Sequence, residues 1–161
     1  MQITWFGHSC FRIDTGKSSI LIDPFLTGNP TFEDSGLTVR EVAKGVTHVA
    51  LTHGHEDHTA DAAAICKETT IPLIAVYELA LHMASLGVEK IDPGNTGGTQ
   101  SHADFDLTFV PAWHSSGVWA LDLSRRLLRA RYCHARGQDG LPYGRHGDLF
   151  RHGADQRDLS P

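Results

Sequence analysis

Short apolar runs, each closed by a turn signal, organise residues 1–118 of the chain. Ile3-Thr4-Trp5-Phe6, Cys10-Phe11-Arg12-Ile13-Asp14 and Ser19-Ile20-Leu21-Ile22 predict three strands, separated by Gly7-His8-Ser9 and Thr15-Gly16-Lys17. Asp23-Pro24 ends the third, and 26–36, rich in Gly, Pro, Asn and Asp, predicts a loop. Residues 38–43 predict a short helix with Thr38 near its cap and Gly45 beyond its end. A buried strand follows over 47–52, ending in Val49-Ala50-Leu51-Thr52. Ala62, Ile65 and Cys66 then recur at helical spacing, which predicts one helix over 59–69. Its N-terminus would point backbone N–H groups toward the loop before it. Residues 72–76 predict a strand and 77–86 a helix ended by Gly87. Residues 94–99 predict a loop or tight turn, and 105–110 a strand that delivers Pro111-Ala112-Trp113-His114. Strands alternating with helices place the segment in the α/β class.

Residues 119–161 break this pattern. The first 118 residues carry 6 Lys+Arg against 14 Asp+Glu, whereas 119–161 carry 8 Arg, no Lys and 5 Asp+Glu. Leu121, Leu123, Leu127 and Leu128 permit a short helix around Arg125-Arg126, but beyond Tyr132 apolar residues are few. Such a segment buries too little surface to offset its ordering entropy, so poor order is expected over most of it. The expected organisation is therefore a folded segment 1–118 and an atypical Arg-rich tail 119–161.

At 161 residues the chain fits one domain, and 40% hydrophobic content is ordinary for a soluble globular protein. A net charge of −5 offers no electrostatic case for nucleic acid or an anionic membrane as partner. No apolar run approaches the roughly 20 residues that span a bilayer. Met1-Gln2-Ile3-Thr4-Trp5-Phe6 lacks the basic-then-apolar pattern of a signal peptide. Cys10, Cys66 and Cys133 lack metal-type spacing and read as reduced thiols. A cytoplasmic location is the expectation.

The chemistry concentrates in His53-Gly54-His55-Glu56-Asp57-His58, which leaves the end of the 47–52 strand. Imidazole nitrogen and carboxylate oxygen suit Zn²⁺ and similar cations. The HxHxDH spacing can place His53 and His55 on one metal and Asp57 and His58 on a second; the competing reading is a solvated polar turn. Asp57 can ligate and orient an attacking water, or cap a helix starting at Thr59. Asp23 either holds a ligand imidazole or is a turn residue before Pro24, and His8 either faces the site or lies at the surface. Cys10 reads as packed, with no activating partner evident. The Gly94–Gly98 stretch lacks a Walker-type Lys-Ser/Thr, so nucleotide binding is not expected.

Five ordered motifs carry a family resemblance: Trp5-Phe6-Gly7-His8-Ser9, Ile22-Asp23-Pro24-Phe25-Leu26, Thr52-His53-Gly54-His55-Glu56-Asp57-His58, Asn95-Thr96-Gly97-Gly98 and Pro111-Ala112-Trp113-His114-Ser115-Ser116. Together they resemble the metallo-β-lactamase superfamily, in particular its uncharacterised metal-dependent hydrolases close to the sugar-phosphate lactonases. The resemblance implies an αββα sandwich with metals at the sheet edges, of which only the N-terminal half is expected here. It implies that His53, His55 and His114 bind one metal and Asp57 and His58 the other, with Asp57 also catalytic. The implied cofactor is Zn²⁺, two per intact site, other divalent metals being possible. The implied reaction is attack of a metal-activated hydroxide on an ester, lactone, amide or phosphodiester of a small-molecule substrate. Nothing in the residues fixes the oligomeric state.

Family members complete the site with a bridging Asp, usually in Gly-Asp-Thr, and a later His; neither is recognisable in 119–161. Back-translated with freely chosen synonymous codons and read one nucleotide later, Leu121 onward can encode Trp-Ile-Tyr-Leu-Gly-Asp. Tyr143 onward can encode Met-Gly-Asp-Thr-Glu-Ile, in family order. A frameshift near residues 117–120 is therefore expected to have replaced the authentic C-terminal half. The competing functional expectation is a truncated, catalytically impaired relative that binds at most one metal, through His53, His55 and His114.

Overall fold

The computed structural model describes residues 1–118 and the strand Cys133–Ala135. The expectations for the rest of 119–161, including the helix around Arg125-Arg126, lie outside the described residues.

The first three strands form an antiparallel meander: β1 (Gln2–Trp5), β2 (Phe11–Asp14) and β3 (Ser19–Ile22), with Ile3 opposite Ile13 and Ile13 opposite Ile20. The turn between β1 and β2 needs Gly7, whose φ is +100° and where a Cβ would stand 2.6 Å from Thr31 Cβ. From β3 the sheet continues in parallel through β4 (His48–Ala50), β5 (Leu73–Val76) and β6 (Ile91–Gly94), in spatial order β1-β2-β3-β4-β5-β6. β3 and β5 are buried at every position, as parallel strands covered on both faces must be. β6 escapes the sequence pattern because it contains Pro93 and Gly94. It is an edge strand, where a missing N–H is tolerated.

Helices fill the connections. α1 (Pro30–Glu33) lies inside the segment expected to be loop. Asn29 caps it by accepting from the Thr31 and Phe32 amides, Pro30 stands in its first turn, and Phe32 is buried. α2 (Val39–Ala43) is closed by the reciprocal Thr38–Glu41 capping box. The single helix expected over 59–69 divides into α3 (Glu56–Thr59) and α4 (Ala62–Thr69). The break comes at Asp61, whose N–H bonds Pro24 O and whose carboxylate accepts from the Leu26 and Thr27 amides and the Thr27 hydroxyl. Two expectations are thereby corrected. The helix that follows the histidine loop starts at Ala62 rather than Thr59, because the loop's own residues form α3. Asp57 is not a cap for a helix at Thr59; it lies in the first turn of α3, with His55 at the cap position. α5 (Tyr77–Ser85) packs on β5 and β6.

A second, antiparallel sheet contains β7 (Thr99–Ser101), β8 (Phe105–Thr108) and β9 (Cys133–Ala135), in that order. The expected loop at 94–99 shrinks accordingly, since Gly94 ends β6 and Thr99 begins β7. Both sheets share one core: Phe105, Leu107 and Phe109 are buried with Ile20, Leu21, Val49 and Leu73. Burying each such side chain contributes about 1.5–3 kcal/mol. Asp104 ties the sheets at one end, accepting from the Thr15 and Ser18 hydroxyls and the Lys17 and Ser18 amides. Among the described residues no helix is long and apolar enough to cross a membrane.

Candidate metal centre

The site forms where the adjacent parallel strands β3 and β4 end, at the carboxyl edge that open α/β sheets commonly use for ligands. Asp23 leaves β3 and donates its N–H to Ala50 O at 3.0 Å. Its φ is +46°, in the left-handed region that Asp tolerates better than most residues. Only 1% of Asp23 is exposed, and its carboxylate accepts from Thr52 N (2.7 Å), Thr52 Oγ1 (2.6 Å) and His58 Nδ1 (2.8 Å). The Thr52 hydroxyl has one proton, and Asp23 receives it. His53 Nδ1, 2.9 Å from that hydroxyl, must then donate its own proton to the Thr52 oxygen. One carboxylate therefore sets two imidazoles, His58 directly and His53 through Thr52. In each neutral ring the proton is held on Nδ1 and the Nε2 lone pair is left for another partner.

His53 Nε2 lies 3.1 Å from His55 Nδ1, and the His114 ring packs edge-on against both, with centroids 4.7 and 5.1 Å away. Donor atoms of these three residues fall within 4.8 Å of one another. Zn–N bonds of about 2.0–2.1 Å put two nitrogens on one tetrahedral cation roughly 3.3 Å apart, so the spacing fits a shared cation. His8, Asp57 and His58 form a second set within the same limit, with His8 Nε2 3.3 Å from Asp57 Oδ2. The sets adjoin, the His53 and His58 rings being 4.1 Å apart. Asp23, His53 and His58 also fall within 4.8 Å of one another. Asp23 is already engaged by Thr52 and His58, so it supports the donors.

Gly54 lets the strands' loop and the 114–118 segment meet. A Cβ there would stand 2.8 Å from Gly117 O and 3.0 Å from Val118 Cγ1. Its N–H donates to Ser116 Oγ at 3.2 Å, and Ser115 Oγ lies 3.5 Å from His55 Nε2. Beside His55 opens a cleft of about 450 Å³ whose lining includes Glu56, Ala63, Met83 and Val118.

The seven candidate site residues come to this place. His53, His55 and His114 converge; Asp57, His58 and His8 converge beside them; Asp23 lies beneath. The sequence pattern predicts no role for Thr52, Asp61 or Ser116. Thr52 stands next to His53 at a strand end, a weak signal. Asp61 and Ser116 act across 35 and 62 positions, which no local pattern reports. Cys10 is fully buried, and burial together with the nearby Asp23 charge pushes its thiol up to about 12, which fits a packing role.

Two sheets over one core, with a histidine-rich loop at the carboxyl edge of parallel strands, define an α/β protein built around a metal-type donor cluster. The sequence profile described as the metallo-beta-lactamase superfamily matches residues 3–114. A UPF0173 metal-dependent hydrolase of Brucella ovis is 54% identical over 118 residues, covering 73% of this chain and 49% of that protein. Its counterpart in Brucella anthropi is 55% identical with the same coverage. Igni18, a metallo hydrolase of the archaeon Ignicoccus hospitalis, superposes with a TM-score of 0.61 at 28% identity, covering 72% of this chain and 52% of that one. The chain belongs to the metallo-β-lactamase superfamily. It spans about half the length of the curated relatives it matches.

Proposed function

We propose that the chain supplies the cation-binding part of a metal-dependent hydrolase, with His53, His55 and His114 on one divalent cation and Asp57 and His58 on a second. The observation that carries this is the Asp23 wiring. A buried carboxylate bonds His58 Nδ1 directly and His53 Nδ1 through Thr52, which turns both Nε2 atoms toward partners. Zn²⁺ suits the nitrogen-rich donor set, and such cations supply Lewis acidity and lower the pKa of a bound water. Asp57, half exposed, orients the attacking water through its carboxylate. The cleft beside His55 takes the body of a small molecule whose ester, lactone, amide or phosphodiester bond is cleaved, and the 450 Å³ available suits a metabolite-sized substrate. The acidic balance of 1–118 argues against nucleic acid and anionic membranes as partners, and the reduced thiols favour the cytoplasm. The test loads purified protein with Zn²⁺ and assays chromogenic esters, lactones and phosphodiesters. Turnover lost on chelation and in His55→Ala supports the reading, and a chain that takes up no cation overturns it.

A second reading is favoured by the length comparison, the curated relatives being about twice as long as the matched region. On it the chain is a catalytically impaired relative that binds at most one cation, through His53, His55 and His114, its Arg-rich 119–161 segment standing where a frameshift displaced the family's later ligands. The coding DNA around codons 115–125 decides the origin of that segment: an overlapping frame lacking the Gly-Asp-Thr word removes the frameshift.

A further inference from the structure

We propose that His8, from the turn between β1 and β2, is the third protein ligand of the second cation, beside Asp57 and His58. This extends the cation-site reading above and rests on it. Asp57 and His58 alone offer two donors, whereas sites that bind a catalytic cation and keep one position open use three. Asp23 falls in with His53 and His58 rather than with Asp57, and its Oδ2 already accepts from Thr52 Oγ1 and His58 Nδ1. Asp23 also occupies His58 Nδ1, which makes Nε2 the ligating atom of His58. Among the described residues, His8 is the further donor grouped with Asp57 and His58 within 4.8 Å. Its Nε2 stands 3.3 Å from Asp57 Oδ2, close to the spacing of two ligands on one tetrahedral cation, roughly 3.3 Å.

The backbone is bent to put it there. Gly7 and His8 are both left-handed, with φ of +100° and +49°, a conformation unusual for a residue with a Cβ. Non-glycine residues hold such angles where the surroundings over-determine them, and they cluster at functional sites. Here the turn is closed by Phe6 N to Cys10 O and Cys10 N to Gly7 O, and the Trp5 indole N–H donates to His8 O at 2.9 Å. The His8 ring is then held edge-on against Phe25 and His58, with centroids 5.7 and 4.9 Å away. The donor set is two nitrogens and one oxygen with an open position, which selects Zn²⁺ or a similar borderline divalent ion. Each cation then has three donors within residues 1–118.

The test uses the full chain, stripped of metal and titrated with Zn²⁺ by calorimetry. His8→Asn is the variant, since Asn tolerates the left-handed backbone and cannot present an imidazole nitrogen. Far-UV circular dichroism and the urea midpoint of the metal-free protein control for folding. Wild type is expected to bind two cations. His8→Asn should keep one tight site and weaken the other by at least about tenfold, while His55→Ala weakens the other site instead. With ¹¹³Cd²⁺ and ¹⁵N-labelled histidine, the His8 Nε2 resonance should split by coupling to the metal. An unsplit His8 resonance, wild-type stoichiometry of one, or two unaltered sites in His8→Asn overturns the proposal. If one cation still binds through His53, His55 and His114, the failure is confined to His8; if none binds, the cation-site reading falls with it.

Discussion

Replacing Asp23 with Asn removes one charge and little else. Volume is kept, and Asn tolerates the φ of +46°. The carboxylate now accepts three hydrogen bonds from two residues. Thr52 N donates to Oδ1, whereas the Thr52 hydroxyl and His58 Nδ1 share Oδ2, so the NH₂ of an amide must face either the Thr52 N–H or both of the other two groups. Either orientation sets donor against donor and strands one N–H, that of Thr52 or that of His58 Nδ1, a cost of about 1–3 kcal/mol. With the NH₂ at the Oδ2 position the Thr52 hydroxyl also turns round, which removes the acceptor that fixes the His53 tautomer. Bonds to a charged acceptor are worth about 1.5–3 kcal/mol and neutral ones about 0.5–1.5, so the surviving contacts weaken as well. The metal-free protein should lose about 2–4 kcal/mol of stability, summing one stranded donor and the weaker bonds. Metal affinity should fall about 10–100-fold, the usual consequence of losing the group that orients a ligand imidazole. Urea unfolding of the metal-free chain and Zn²⁺ titration against a competing chelator read the two effects. Asp61→Asn is the comparison, because Asp61 is equally engaged but bonds Leu26 and Thr27 and no imidazole. It should lower stability and leave affinity within a few-fold. Wild-type affinity in Asp23→Asn, or equal affinity losses in both variants, would refute the wiring argument.

Gly54→Ala drives a methyl to 2.8 Å from Gly117 O, so the 114–118 segment must move; overpacking costs about 1–3 kcal/mol, and Zn²⁺ affinity at the His53–His55–His114 site should drop with Tm. His48 is held below the ordinary histidine value of 6.5, first by burial and then by His102. The folded state thus binds fewer protons than the unfolded one, so this contribution to stability is full above 6.5 and is lost as pH falls through the lower folded value. Urea midpoints measured across that range should show the slope, and His48→Phe should flatten it; an unchanged slope counts against the assignment. Burial pushes the Cys10 and Cys66 thiols up to about 12, so neither should react with a thiol reagent at pH 8 until the protein unfolds, as peptide mapping would report.

How much of this could be read in advance depended on the range of the interaction. β3, α2 and α5 were legible because their signals are local: a continuous apolar run, a Thr-x-x-Glu box, a helical period closed by Gly87. α1 was hidden because its stability comes from burying Phe32, edge-on against Phe6, and its cap residues also spell a loop. β6 was hidden because an edge strand can carry Pro-Gly, which elsewhere ends a strand. The split of α3 from α4 comes from Asp61 reaching back to Leu26 and Thr27, a contact with no sequence period.

Taken by itself, the sequence determined the donor atoms and their family. Side-chain chemistry is a property of the residue, and the HxHxDH spacing limits how those donors can be shared. Tertiary structure decided which donors meet. Pairing β3 with β4 brings Asp23 against Thr52 and His58, and the Gly54–Ser116 contact lays His114 beside His53. The strained Gly7-His8 turn brings a histidine 49 positions away to Asp57. These are long-range contacts, paid for by the burial of one core shared between two sheets, and only the folded chain contains them.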